Sequence, residues 1–314
     1  MNRMTVIFLL SIQTATVLWS QEKVFPKLTG PYLGQKPPGM TPEIFAPGII
    51  SKAGFHLHSS LAFSPDGNEV YFTRIVFEPL TQGTIYCLKR EGNRWTEPRI
   101  ASFSGIFNDD SPAFSPDGQR LYFSSTRPLD AQDQSNDLDI WYVERNGVDW
   151  SAPIHAGSPI NTDYCDFRSS ISKNGTMYLS SDRDYRDNKS FDIFVTQLHK
   201  GQYSLPKKLD EAITTPLTEQ IGYIAPDESY IVFYRYTRDD PDDVGLYISF
   251  RTEDGSWTDG KNMGVLFNSP PEAVTQAASL SPDGRYVFFL KRYEEAIYWV
   301  DAKIIEHFRP KELK

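Results

Sequence analysis

Residues 111–127 read SPAFSPDGQRLYFSSTR, and this stretch decides the fold. It holds a short apolar run, a Pro-Asp-Gly turn, a second apolar run and an arginine. Proline presets φ at the first corner, aspartate caps its own backbone, and glycine accepts φ > 0. Versions recur at Ser64 (SPDGNEVYFTR), Ser172 (SKNGTMYLSSDR), Ala225 (APDESYIVFYR) and Ser281 (SPDGRYVFFLKR). Anchored on Ser115 and its equivalents, the copies lie 51, 57, 53 and 56 residues apart. A period near 50 built from short apolar runs specifies an all-β propeller, one four-stranded antiparallel blade per copy. Asn174-Gly175 makes the turn of the third copy. In the fourth, Glu228 replaces glycine, which predicts a turn of another type or a looser one.

Each period supplies four strands. In the second copy strand a reads Ser111–Ser115, strand b Arg120–Ser125 and strand c Asp139–Arg145, with strand d beginning near Pro153. The motifs NRWTEP, VDWSAP, GQYSLP and GSWTDG each follow a strand c. Their aromatic residue (Trp95, Trp150, Tyr203, Trp257) is expected to plug the space between neighbouring blades, because it buries a large area and needs one hydrogen-bond partner. The segment PEIFAPGIIS (Pro42–Ser51) aligns with EPRIAS, placing Pro42 on Pro98 and Ile44 on Ile100. The fifth copy ends soon after its strand c (Ala296–Ala302), so the N-terminal segment is expected to supply its strand d. That closes the ring and removes two exposed sheet edges. The result is five blades. The alternative of six blades needs another ~40–45 residues of strand.

The segment WSAPIHAGSPINTDYCDFRSSISKNGTMYLSSDR, followed by FDIF, resembles the WD40-like, Pro-Asp-type propeller repeats of TolB and of many exported bacterial proteins. The resemblance runs from Thr41 to Ala302. It implies the propeller fold and is weak for function, since such repeats serve binding modules and enzymes alike.

Residues 1–20 read as a secretory signal peptide, with a basic start at Arg3 and an apolar stretch from Thr5 to Trp19 interrupted by Gln13. Residues 21–40 are Pro/Gly-rich and read as an extended lead-in, 41–305 as the propeller, and 306–314 as a charged tail with one helical turn. The location implied is periplasmic or secreted, without membrane insertion after signal cleavage. The net charge of −9 argues against nucleic acid and anionic membranes as partners. Cys87 and Cys165 fall in different blades and are expected to stay free thiols.

In a propeller, the loop entering strand a and the loop leaving strand b lie at one end of the channel. Six residues before each anchor stand His58, Asp109, Asp166, Glu219 and Thr275, followed by Ser59, Asp110, Phe167, Gln220 and Gln276. These are expected to ring one mouth with mostly acidic groups. Strand b ends in Arg74, Arg127, Arg183, Arg235 and Arg292, one per blade. Two readings of them stand: an ion-pair network with nearby carboxylates or carbonyls, or an anion site for a sugar acid or substrate carboxylate. His56 with His58, and Cys165 with Arg168, break the repeat. Two histidines at i, i+2 on an extended segment point one way, as an acid/base pair requires. A third metal ligand is lacking, so no metal is expected there.

The expected function is capture of a protein, peptide or cell-wall/glycan ligand at that mouth, without catalysis. The alternative is a carbohydrate-active hydrolase or lyase using Asp109, Asp166 or Glu219 as its carboxylates. Sialidase Ser-x-Asp-x-Gly-x-x-Trp boxes are absent, as is a GxSxG elbow, and the five histidines are dispersed. No cofactor is expected. Calcium in the acidic loops Pro128–Asp137, Asp184–Ser190 and Thr237–Asp243 remains an open possibility, although no EF-hand spacing is present.

Overall fold

A computed structural model describes residues 25–77, 81–184, 190–237, 244–268 and 275–313. The signal-peptide reading and parts of the second and third acidic loops lie outside these residues. Five antiparallel sheets form blades 1 to 5. Strand a of the blades spans Ala62–Phe63, Asp109–Phe114, Asp166–Ile171, Thr218–Ile224 and Thr275–Leu280. Strand b spans Glu69–Val76, Arg120–Ser125, Met177–Ser181, Tyr230–Tyr236 and Tyr286–Lys291. Strand c spans Gln82–Glu91, Asp139–Asn146, Asp192–Thr196, Gly245–Phe250 and Ala296–Asp301. Strand d is two residues long in every blade: Arg99–Ile100, Ile154–His155, Lys207–Lys208, Lys261–Asn262 and, in blade 5, Glu43–Ile44.

The last of these closes the ring. Glu43 faces Trp299 and Ile44 faces Tyr298 across the ladder, antiparallel to strand c of blade 5. Phe45 follows fully buried and packs edge-on against Phe288 and Trp299, ring centroids 5.0 Å away in each case. The lead-in is not simply extended. Tyr32–Gly34 makes a 3-10 turn, and Tyr32 packs its ring against Phe63, Tyr286 and Trp299 over the seam between blades 5 and 1. After strand c of blade 5 a 3-10 helix, Ala302–His307, buries Ile304 and Ile305, and the tail adds a single 3-10 turn, Lys311–Leu313.

The core is divided among the five blade-to-blade seams, and the aromatic after strand c closes four of them from outside, while Ile304 and Ile305 pack into the seam between blades 4 and 5. Trp150 of blade 2 donates its indole N–H to Tyr71 of blade 1 at 2.8 Å. Trp95 packs with blade 5, Tyr203 with blade 2 and Trp257 with blade 3. In the repeated turn, Ser115 Oγ donates to Asp117 at 2.6 Å and accepts from Arg120 N–H at 2.8 Å, while Gly118 sits at φ +69.

The fourth turn corrects the expectation of a different geometry. Glu228 N–H reaches Ala225 carbonyl at 2.9 Å, as Gly118 reaches Ser115, so the turn is the same. Glu228 holds φ +60, a region unfavourable for a residue with a Cβ. Its carboxylate compensates by accepting from Ser172 Oγ, Asn174 Nδ2 and Tyr178 Oη of blade 3 at 2.8, 3.0 and 3.1 Å.

Both cysteines are free. Cys87 sits in strand c of blade 1, where burial pushes its thiol up to about 11. An aromatic disulfide reagent at about pH 8 is expected to label half-buried Cys165 first and Cys87 only after unfolding. Equal labelling of both thiols in the folded protein would contradict this packing.

Candidate functional site

Blades stand radially, so the alternating side chains of strand a face the neighbouring blades rather than the channel axis. This decides the fate of the predicted acidic ring. Asp109, Asp166 and Glu219 are fully buried and face into the blades. Asp109 accepts from Ser104 Oγ (2.8 Å), Ser125 Oγ (2.7 Å) and Arg127 Nη2 (2.7 Å). Asp166 accepts from Thr162 N–H and Oγ1, both at 2.7 Å, and from Arg183 Nη2 at 2.5 Å. Glu219 accepts from Thr215 Oγ1 (2.6 Å) and Arg235 Nε (2.9 Å). Burial raises the Glu219 carboxyl above the ordinary glutamate range despite these donors.

The three arginines do one thing more. Each also donates to the carbonyl six residues before its carboxylate: Arg127 to Phe103 (3.1 Å), Arg183 to Ile160 (2.7 Å) and Arg235 to Ile213 (3.3 Å). They therefore latch the segment that crosses from one blade into the next. Arg74 has no carboxylate there; it donates to Ile49 carbonyl at 3.0 Å and lies between the rings of Phe55 and Tyr86. Thr275 replaces the carboxylate in blade 5 and donates to Phe267 carbonyl at 2.6 Å, while Arg292 is exposed.

The histidine pair also separates. His56 turns to Glu295 of blade 5, whereas His58 Nδ1 meets Asp110 Oδ2 of blade 2 at 2.7 Å. Blade 1 lies between those two blades, so the rings serve opposite seams. Among the described residues no group of three or more His, Cys, Asp or Glu is placed to hold a metal ion. In Pro128–Asp137, Asp130 and Asp133 accept from backbone N–H groups of their own loop.

A cavity of about 350 Å³ occupies the propeller axis, lined by strand a of all five blades. It differs from expectation in which end is open. The turn residues Pro65, Pro116, Lys173, Pro226 and Pro282 line it and are exposed. Four residues before each anchor, Ser60, Ser111, Arg168, Ile221 and Ala277 are all buried. The channel thus opens at the a–b turns and ends at the level of Arg168. That depth is about 16 Å, five strand residues at roughly 3.3 Å each. Among the predicted ring residues Asp110 and Gln276 are also buried, and Gln220 is half-buried.

The closed end is shaped by β-bulges. In blades 2 to 5 the strand a–b register shifts at this level, and Ser111, Arg168 and Ala277 hold φ +53, +48 and +53. A bulge re-aims a side chain, here toward the axis. A hydroxyl on strand b of the preceding blade accepts the displaced N–H: Thr73 from Ser111, Ser124 from Arg168 and Ser180 from Ile221, at 3.2, 3.0 and 2.9 Å. Sequence reasoning missed this device, whose signal is the Thr or Ser in YFTR, YFSS and YLSS. In blade 4 the equivalent position is Tyr234.

Burial disfavours the charged Asp110 carboxylate, but the adjacent His58 ring, Arg168 and the Ser111 N–H outweigh it and hold this carboxyl well below the ordinary aspartate range. A depressed folded-state value stabilises above the unfolded value of about 4 and is lost as pH falls below it. Asp110→Asn is therefore expected to flatten the acid side of the stability profile, read by thermal unfolding between about pH 3 and pH 6. An acid loss parallel to wild type would deny the pair this role.

No protein-family model matches the chain, and no curated protein does. Among solved structures it is similar to TolB from Acinetobacter baumannii, with 14% identity over 78% of this chain and 54% of that one, at a TM-score of 0.46. The oligogalacturonate lyase of Vibrio parahaemolyticus shows 13% identity, 84% and 68% coverage and a TM-score of 0.44. A protein of unknown function from Dyadobacter fermentans shows 16%, 85% and 83%, and 0.47. The chain spans about half the length of the Acinetobacter TolB. By its own strand pairing it is a five-bladed β-propeller with mixed-chain closure.

Proposed function

We propose that this chain is an exported ligand-binding propeller, acting in the periplasm or outside the cell, that takes part of a protein, peptide or glycan into its central channel. The observation that carries the reading is the axial cavity itself, open at the turn end and closed at the bulges. Its volume lies within the range of about 300–1,000 Å³ usual for ligand sites. Serines, alanines and a few larger apolar groups (Phe114, Ile171, Tyr223) line it, a mixture that serves binding by shape with scattered hydrogen bonds. The hydrolase or lyase reading has less support, because Asp109, Asp166 and Glu219 spend their oxygens on arginines and hydroxyls inside the blades. Among the described residues no helix is long and apolar enough to cross a membrane.

Ala113 lines the channel and is half-buried, so a large side chain there fills the cavity without entering a blade core. Ala113→Trp is expected to remove binding of any peptide or glycan that wild type captures from an array, while leaving the melting temperature close to wild type. Undiminished capture by this variant would place the ligand elsewhere, and turnover of a captured glycan would overturn the non-catalytic reading.

A further inference from the structure

We propose that the closed end of the channel is a carboxylate site built on Arg168 and Ser111, so that the captured molecule enters with an anionic end first. The inference rests on the channel being the binding site and supplies the chemical class of its ligand.

Arg168 is 5% exposed, yet its Nε and Nη1 have no hydrogen-bond partner within the protein. Ser111 Oγ, from the equivalent bulge of the neighbouring blade, is also buried without a partner. Both residues line the cavity. The guanidinium interacts electrostatically with Asp110 of blade 2, Tyr234 of blade 4 and Arg292 of blade 5, while its own backbone belongs to blade 3. A group with neighbours in three other blades stands across the propeller axis. The same bulge position carries serine in blade 2 and alanine in blade 5, so the large cation is particular to blade 3.

Asp110 does not neutralise this cation by a hydrogen bond. Its Oδ1 accepts from the Ser111 N–H at 2.7 Å and its Oδ2 meets His58 Nδ1 at 2.7 Å. Guanidinium donors buried without acceptors are unfavourable, and the deficit is met by an acceptor arriving from the channel. A carboxylate offers one oxygen to either of these guanidinium donors and the other to the Ser111 hydroxyl. The Asp110 charge close by disfavours a phosphate dianion and leaves a singly charged, planar anion as the fitting ligand.

A peptide C-terminus and a uronic acid both present this group, and four probes separate them by isothermal titration: tetra-alanine, its C-terminal amide, digalacturonate and neutral galactobiose. One acid is expected to bind, with its neutral counterpart about thirtyfold weaker or more; which acid binds identifies the source. Arg168→Met is expected to lose that preference while melting at or above the wild-type temperature, because an uncompensated buried charge is gone. Binding of neither acid, tighter binding of inorganic phosphate, or a preference surviving in Arg168→Met would overturn the proposal. Equal binding of acid and neutral forms, lost in Ala113→Trp, would remove the carboxylate site and leave the channel reading standing.

Discussion

Replacing Arg183 by methionine is expected to lower the unfolding free energy by about 3–5 kcal/mol, the cost of leaving a buried charge without its partner. Asp166 is fully buried, and Arg183 is the cation paired with it while also holding Ile160 carbonyl on the segment between blades 2 and 3. The substitution removes both bonds and strands the carboxylate. Urea unfolding of the variant measures the loss through its midpoint. Arg183→Met with Asp166→Leu should recover part of it, since a buried pair replaced by apolar residues of similar volume is often neutral or stabilising. A single variant as stable as wild type would mean that the latch contributes nothing. The two remaining latches, Arg127–Asp109 and Arg235–Glu219, should respond in the same direction, because each carboxylate is fully buried and each arginine also holds a carbonyl of the crossing segment.

The second large effect lies at the closure. Phe45 is fully buried among Phe63, Phe288 and Trp299, one residue beyond the two-residue strand that completes blade 5. Phe45→Ala is expected to cost about 3–5 kcal/mol, from lost burial and from the cavity left between rigid rings. The two strand residues are themselves exposed, so the aromatic and not the ladder carries the energy of closing the ring. Chemical denaturation with far-UV detection reads the loss. Ile44→Ala, truncating a side chain 40% exposed, should change stability by less than about 1 kcal/mol. Equal effects from the two substitutions would mean that closure depends on the ladder and not on the aromatic plug.

These expectations rest on features of unequal legibility in the sequence. The turn SPDG and its period are local, and local chemistry is readable: the copies at Ser64, Ser115, Ser172, Ala225 and Ser281 became five blades. The alignment of Ile44 with Ile100 placed the closing strand, because a missing strand d at one end and a spare one at the other have a single economical solution. The aromatics after strand c behaved as plugs for a similar reason, being too large for any place but a seam. Glu228 was misread because a turn was judged by its missing glycine alone. Three donors from the neighbouring blade, unseen in the local sequence, offset the strain of its φ.

The site was less legible. Aligning Asp109, Asp166 and Glu219 identified a real repeat, but position in an alignment does not say which way a side chain faces. Their direction is fixed by radial stacking, which turns both faces of strand a toward other blades and offers the axis mainly its edge. The sequence by itself determined the blade count and the closure, since these follow from short-range pattern and periodicity. Only the tertiary structure decided which mouth is open and that Arg168 stands on the axis. A one-residue bulge re-aims a side chain, and its neighbours come from three other blades that sequence distance keeps apart.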